Sequence, residues 1–171
     1  VLESPDINAF ALPGGYIYIN RGLMAYLSSE EELAAVLGHE IGHVTARHSV
    51  RQYSQSQLLG ILYAAVQINS GRTAGDLVGV ASGALLAGYG REMELQADEL
   101  GAEYLYQDGY PTKAMMKVLT VLKDQEIYSR ELAKERGQEP RNYHGVFASH
   151  PSNDKRLKEI LEEVSKTYQQ G

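Results

Sequence analysis

The stretch His39-Glu40-Ile41-Gly42-His43 places two histidines four positions apart, with a glutamate directly after the first. On a helix, at about 100° per residue, the two imidazoles are offset by roughly 40° and face the same way. This spacing suits a pair of tetrahedral zinc ligands, and Glu40, one step round the helix, can reach a water molecule activated by the metal. The alternative is a surface helix that carries two solvated histidines.

The flanking residues favour a buried helix over a solvated one. Ser28 and Ser29, followed by Glu31 and Glu32, offer capping boxes at its start, and the carboxylates suit the positive end of the helix dipole. Apolar residues then recur at helical spacing, at Leu33, Val36, Leu37, Ile41 and Val44. A buried helix seldom carries two histidines and a glutamate unless they are paired or bound to something. We therefore predict a metal site.

The helical pattern continues past the second histidine, so we predict one active-site helix over residues 29–53 and beyond. His48 lies five positions after His43, which turns it well away from the ligand face of a continuous helix. We therefore interpret His48 as a solvated or salt-bridged histidine and not as a ligand.

A candidate third ligand lies downstream, where Glu94 and Asp98 share one helical face at a spacing of four. Glu92 and Glu99 are rivals to Glu94, and an ordinary charged helix face is the alternative. Asp98 could orient a ligand histidine by accepting its second ring N–H. Two histidines and one glutamate would leave zinc an open position for water, which is typical of a catalytic site.

These motifs carry a resemblance to a known family. The stretch His39 to His43, followed by Glu94-Leu95-Gln96-Ala97-Asp98, resembles the HtpX and CAAX-prenyl-protease family of metallopeptidases (metallopeptidase family forty-eight). Residues 8–15 and 149–156 are similar to further elements of that family, in the same order, so the resemblance covers about residues 7–157. It implies a gluzincin with one zinc ion per chain, held by His39, His43 and Glu94, and with Glu40 as the general base.

Within that family the chain resembles the soluble, BepA-like periplasmic members, because the membrane spans of the HtpX type are missing. The apolar runs 58–68 and 77–86 are each shorter than the roughly 20 residues that a bilayer requires. They predict either two core helices or a helical hairpin that covers the cleft or touches a membrane surface. We expect a protein of the bacterial periplasm or the membrane-associated envelope, as a fragment that lacks its signal or anchor.

The residues before the active-site helix predict a β-hairpin. Two short β-prone runs, 7–11 and 16–20, flank the turn sequence Leu12-Pro13-Gly14-Gly15. In zincins an edge strand beside the metal commonly binds the peptide substrate by strand addition. Asn8, Ala9 and Phe10 are therefore candidate substrate-binding residues, together with Arg156 near the end of the chain. A purely structural hairpin is the alternative.

A loop near the end of the chain carries the remaining candidates. The oxyanion needs a further donor, and His150, Tyr143, His144 and Arg156 are all candidates. His150 has two possible catalytic roles: donating to the oxyanion, or occupying the open zinc position and blocking water. The resemblance to BepA-like members favours the second role, and a surface histidine is the alternative.

Length and composition agree with this interpretation. A chain of 171 residues with a net charge of −6 fits a single domain, residues 1–171, and the lack of a basic run argues against nucleic acid as a partner. No cysteine is present, which excludes thiolate ligands. We predict a mainly helical, zincin-like α+β metalloendopeptidase that acts on polypeptides such as misfolded envelope proteins. The rival interpretations are a chaperone for outer-membrane proteins, with membrane-surface or assembly partners, and a structural zinc protein.

Overall fold

The computed structural model describes residues 1–67 and 88–137, together with residues 159, 162, 166 and 167, which are helical. The described part of the chain is mainly helical and carries a small antiparallel sheet, which confirms the predicted α+β class. Its elements are β1 (Ala9–Leu12), β2 (Tyr16–Ile19), α1 (Arg21–Met24), α2 (Glu30–Thr45), α3 (His48–Gln67), α4 (Arg91–Gln107) and α5 (Lys113–Glu135). Among these described helices, none is long and apolar enough to cross a bilayer.

The predicted hairpin is confirmed as β1 and β2, whose register pairs Ala9 with Ile19 and Phe10 with Tyr18. The rings of Phe10 and Tyr18 stack with their centroids 5.3 Å apart. Before β1, Leu2 donates its N–H to the Ile19 carbonyl at 2.8 Å and forms a bridge with Asn20. The start of the chain therefore lies along the end of β2.

Helix α2 begins at the capping residues that the sequence indicates. The Ser29 hydroxyl accepts the Glu32 N–H at 3.4 Å, and the Glu32 carboxylate accepts the Ser28 N–H at 2.8 Å. These bonds satisfy backbone donors that the first turn of a helix leaves without a partner. Glu32 is itself 5% exposed, so the cap lies against the core and anchors the start of the helix.

The predicted continuous helix over residues 29–53 is wrong, because the chain turns between α2 and α3. Arg47 has a φ of 55°, in the left-handed region, and a new helix begins at His48. The last turn of α2 is closed locally: the Ala46 N–H donates to the Gly42 carbonyl at 3.0 Å, and the Thr45 hydroxyl lies 3.0 Å from the Ile41 carbonyl oxygen. With these carbonyls satisfied, the backbone can leave the helix axis.

Helices α2 and α4 cross through small residues at close range. A Cβ atom on Gly42 would lie 2.7 Å from the Ala97 carbonyl oxygen, and one on Gly101 would lie 2.9 Å from the His39 nitrogen. Only a residue without a side chain allows backbones to approach this closely. The crossing therefore holds the His39–His43 face of α2 directly against the first turns of α4.

A buried apolar core lies beneath this crossing. Helix α4 ends before Gly109, whose φ is 79°, and α5 then returns across the core. The core residues come from the segment before β1, from the hairpin and from four helices: Ile7, Ala9, Ile19, Leu23, Ala35, Val36, Leu105, Ala114, Met115, Val118 and Leu122.

The apolar region over residues 58–86 is described only in its first part. Residues 58–67 belong to α3, where Leu58 and Ile61 are 58% and 64% exposed. The second run, 77–86, lies outside the described residues. The spacing of Leu157, Ile160, Leu161 and Val164 predicts a last amphipathic helix after Ser152, and of residues 152–164 the structure describes only 159 and 162, which are helical.

A candidate metal centre between α2 and α4

Three buried side chains bring their donor atoms together where α2 meets α4. His39 Nε2 and His43 Nε2 are 3.0 Å apart, and the Glu94 carboxylate oxygens lie 3.6 Å and 3.3 Å from these two nitrogens. Tetrahedral bonds of about 2.0–2.1 Å to zinc would place ligand atoms roughly 3.3 Å apart. Among the described histidines and acidic residues, these three form the one cluster that could hold a metal ion.

His39 is oriented by a carboxylate from α4. Its Nδ1 lies 2.7 Å from Asp98 Oδ1, and both side chains are buried. A carboxylate only accepts hydrogen bonds, so the ring proton lies on Nδ1 and the Nε2 lone pair faces the cluster. This is the orienting contact that the spacing of Glu94 and Asp98 suggests.

His43 is oriented from the other side by His48. The two Nδ1 atoms are 2.8 Å apart, and His48 Nε2 lies 3.0 Å from the side-chain oxygen of Gln96. The interpretation of His48 as a solvated histidine is wrong, since it is 0% exposed. Burial lowers the pKa of His48; the Gln96 hydrogen bond opposes this shift, and the charge of Arg51 adds to it. These contacts favour the neutral ring.

The donor set fits a divalent metal. With Nδ1 of His39 protonated against Asp98, its Nε2 lone pair faces His43 Nε2 and the Glu94 carboxylate. Three electron-pair donors that converge on one point suit a cation, and two imidazoles with one carboxylate suit zinc and its neighbours among the transition metals.

Tyr89 is a further side chain at this centre that sequence reasoning missed. Its ring stacks on His43 with centroids 4.1 Å apart and an angle of 21° between the planes. The hydroxyl lies 2.7 Å from Ser49 Oγ, and burial raises the pKa of Tyr89, so the phenol stays neutral at physiological pH. No spacing in the sequence pointed to this residue, because it precedes α4 and reaches His43 only through the tertiary fold.

The structure also places the other candidates. Glu40 is 1% exposed and directly follows His39 on α2, whereas the rivals Glu92 and Glu99 are exposed on α4 and lie outside the cluster. Phe10 belongs to β1, which packs against α2. The loop candidates all lie outside the described residues: Tyr143, His144, His150 and Arg156.

The turn of the hairpin lies against α2 at the residue that follows His43. A Cβ atom on Gly15, in its turn, would contact Val44 Cγ1 at 3.7 Å, and Val44 directly follows His43. Ala9 and Ala11 are buried and alternate with the partly exposed Phe10. Within the described ranges the sheet has two strands, so β1 has one edge that no other described strand pairs with.

Comparison with known proteins agrees with this geometry. Peptidase family M48 matches residues 1–164 of the chain. The chain is 35% identical over 140 residues to the beta-barrel assembly-enhancing protease of Yersinia pestis, covering 75% of this chain and 28% of that protein. It is 30% identical over 176 residues to the mitochondrial metalloendopeptidase OMA1 of Arabidopsis thaliana, covering 99% and 33%.

A third relative, the metalloprotease YcaL of Escherichia coli, is 28% identical over 169 residues, covering 96% of this chain and 61% of that protein. The chain thus spans about a third or less of the first two relatives. The family match covers nearly the whole chain and implies a metal cofactor, and the cluster between α2 and α4 is compatible with one. This chain belongs to peptidase family M48.

Proposed function

We propose that this chain is the catalytic part of a zinc-dependent metalloendopeptidase, with one zinc ion held by His39, His43 and Glu94. The observation that carries the proposal is the convergence of these three buried donors beside Glu40. The family match and the names of the relatives, which include a metalloendopeptidase and a metalloprotease, support the same reaction class. A purely structural zinc site would not need Glu40, because the three ligands already lie on two packed helices.

The residues of the chain have distinct roles in this mechanism. Zinc bound here would supply a Lewis acid that acidifies a water molecule and polarises the scissile carbonyl. The Glu40 carboxylate accepts a proton from the attacking water and then donates it to the leaving amine, so that one residue serves as general base and then as general acid. Asp98 keeps the Nε2 lone pair of His39 available by accepting its Nδ1 proton. His150 and Arg156 remain candidates for contacts with the oxyanion and substrate from outside the described residues.

The hairpin supports a polypeptide as the substrate class. An extended peptide could add to the edge of β1, with main-chain hydrogen bonds for affinity and with Asn8, Ala9 and Phe10 along the contact. The turn of the hairpin lies beside Val44, which follows the proposed ligand His43, and this contact supports a peptide path along α2. Strand addition is independent of sequence along the main chain, which suits a protease that acts on unfolded segments.

The cellular context is proposed from the relatives. The name of the Yersinia pestis protein describes a protease that enhances β-barrel assembly. By this similarity we propose the bacterial periplasm or envelope as the compartment and misassembled envelope proteins as substrates, with outer-membrane assembly factors as partners. The same name favours a second candidate function, in which the chain binds unfolded outer-membrane proteins and cleaves them only secondarily.

Replacement of Glu40 by glutamine tests the mechanism and separates the two functions. Glu40→Gln should retain zinc, measured by elemental analysis, and should cleave casein about 10²–10⁴-fold more slowly, because an amide can neither accept nor return the proton. Glu92→Gln is the matched control, since it removes an exposed carboxylate from α4 and should leave cleavage unchanged. Cleavage by Glu40→Gln at the normal rate, or cleavage by the parent that a chelator does not stop, would contradict the mechanism. Binding of unfolded protein by a parent that cleaves nothing would favour the chaperone function.

A further inference from the structure

We propose that His48 is a positioning residue for His43, which it holds in the tautomer that a metal ligand requires. The inference rests on the proposed metal centre and extends it from three ligands to the side chains that orient them. Its basis is a continuous chain of hydrogen-bonding groups: Arg51, Gln96, His48 and His43.

The direction of each hydrogen bond in this series follows from Arg51, where the series ends. A guanidinium has only donors, and Arg51 Nη1 donates to Gln96 Oε1 at 3.2 Å, so the atom of Gln96 in this contact is an acceptor. His48 Nε2 lies 3.0 Å from the same oxygen and must therefore carry a proton. The fully buried His48 ring shares this acceptor with the Arg51 guanidinium, and both its burial and the neighbouring cation disfavour a second proton on the ring. A neutral ring has one N–H, so His48 Nδ1 is an acceptor.

The consequence reaches the proposed ligand. His48 Nδ1 lies 2.8 Å from His43 Nδ1, and an acceptor at this distance requires that His43 Nδ1 carries the proton. The lone pair of His43 is then on Nε2, the atom that faces His39 and Glu94. His48 thus orients His43 as Asp98 orients His39. Unlike Asp98, His48 is neutral, and it lies on α3 and not on α4.

His48 is not itself a member of the ligand cluster. Its Nδ1 faces the edge of His43 opposite to Nε2, and its Nε2 faces Gln96. The described residues that could hold a metal are His39, His43 and Glu94 alone. Both nitrogens of His48 are therefore engaged away from the centre, and the residue acts through His43.

The turn at Arg47 makes this contact possible. On an uninterrupted helix, a residue five positions after His43 would lie about 140° round the axis, out of reach of its ring. The left-handed conformation of Arg47 ends α2 and lets the first residue of α3 return over the proposed ligand. Non-glycine residues adopt this conformation at a cost, and such strain often accompanies a functional site. Tyr89, stacked on the face of His43, restrains the same ring in the other direction.

The test compares two replacements of His48 in the intact protein. His48→Leu fills the space but removes the acceptor, whereas His48→Asn places an amide oxygen near the position of Nδ1. Loss of an outer partner of a ligand histidine typically weakens metal binding by about 10–100-fold. His48→Leu should show this loss for Zn²⁺ in a chelator competition, and His48→Asn should recover most of it. The visible spectrum of the Co²⁺-loaded protein should change in the leucine variant and not in the asparagine variant.

A direct measure of the tautomer excludes a merely structural effect. In the metal-free protein, ¹⁵N histidine spectra should show His43 protonated on Nδ1 in the parent and in His48→Asn, and a mixture of tautomers in His48→Leu. Gln96 is exposed and offers a second pair of variants that leaves the core intact. Gln96→Ala lets water accept the His48 proton and should keep the His43 tautomer, whereas Gln96→Lys introduces a donor and should disturb it.

The outcomes separate this inference from the proposed function. If the parent binds no Zn²⁺, the metal centre itself is wrong. If the parent binds Zn²⁺ and His48→Leu binds it equally well with an unchanged His43 tautomer, the metal centre stands and the role of His48 is overturned. Equal weakening by leucine and asparagine would also overturn it, since a purely packing role does not distinguish an acceptor.

Discussion

The two histidines of the α2 motif are oriented by different kinds of hydrogen-bonding partner. On one side, His39 contacts Asp98, a fully buried carboxylate on α4. On the other side, His43 contacts His48, a buried neutral ring on α3, whose far nitrogen contacts the exposed Gln96. One support is a single charged group inside the protein, and the other is a relay that ends at the surface.

This difference has an energetic consequence. A buried carboxylate has no water to replace it, so its loss leaves the His39 N–H without a comparable acceptor. The relay on the other side ends where water can substitute for the Gln96 amide at small cost. Loss of Asp98 should therefore weaken metal binding at least as much as any change of an orienting residue on the His43 side. On that side, replacement of His48 should weaken metal binding more than replacement of its exposed partner Gln96.

Removal of Glu94 should have the largest effect, because this residue contacts both sides. Its carboxylate oxygens lie 3.6 Å from His39 Nε2 and 3.3 Å from His43 Nε2. Glu94→Ala should weaken Zn²⁺ binding by more than the roughly 100-fold upper range for loss of an outer partner. Chelator competition measures this, with the exposed Glu92→Ala as control. Metal loss in the Glu92 variant with normal binding in the Glu94 variant would reverse the assignment of the ligand.

Substitutions of the orienting residues test whether the His39 side contributes more to metal binding than the His43 side. Asp98→Asn removes the charge but keeps the shape, and we expect it to weaken Zn²⁺ binding by about 10–100-fold. This loss should be at least as large as that of His48→Leu and clearly larger than that of Gln96→Ala. The three dissociation constants, measured under one set of conditions, decide the order. If Gln96→Ala bound Zn²⁺ more weakly than Asp98→Asn, the exposed Gln96 and not the buried Asp98 would be the more important support of the site.

A smaller effect is expected from the crossing that both supports share. Gly42→Ala places a methyl group 2.7 Å from the Ala97 carbonyl oxygen, so α2 and α4 must separate. We expect a loss of about 1–3 kcal/mol in the free energy of unfolding, as for other overpacked positions. Gly60→Ala in α3 is the matched control, because its Cβ would meet nothing within 4 Å. That control should gain up to about 1 kcal/mol from helix propensity.

Chemical denaturation of both glycine variants without metal gives these values. Equal stability of the two would show that the helices separate without strain. If Gly42→Ala also weakens Zn²⁺ binding while Gly60→Ala does not, the close crossing acts on the distance between the α2 histidines and Glu94.

The sequence by itself predicted the parts of this site that depend on spacing within one helix. Positions four apart share a face on any helix, so the pairing of His39 with His43 and of Glu94 with Asp98 needed no knowledge of the fold. The capped start of α2 follows from equally local rules. Local chemistry also indicated the hairpin, because its turn residues and β-prone runs lie within a few positions of each other.

Only the tertiary structure decided how these faces meet. Spacing left Glu92 and Glu99 open beside Glu94, and the glycine-mediated approach of α4 to α2 makes Glu94 the member of these three that joins the cluster with both histidines. His48 was misread because one left-handed residue, Arg47, redirects every position after it, and no glycine marks that turn. Gln96 and Tyr89 reach the site across 48 and 46 positions of sequence respectively, from His48 and His43. Contacts of that range arise from packing, which local periodicity does not encode.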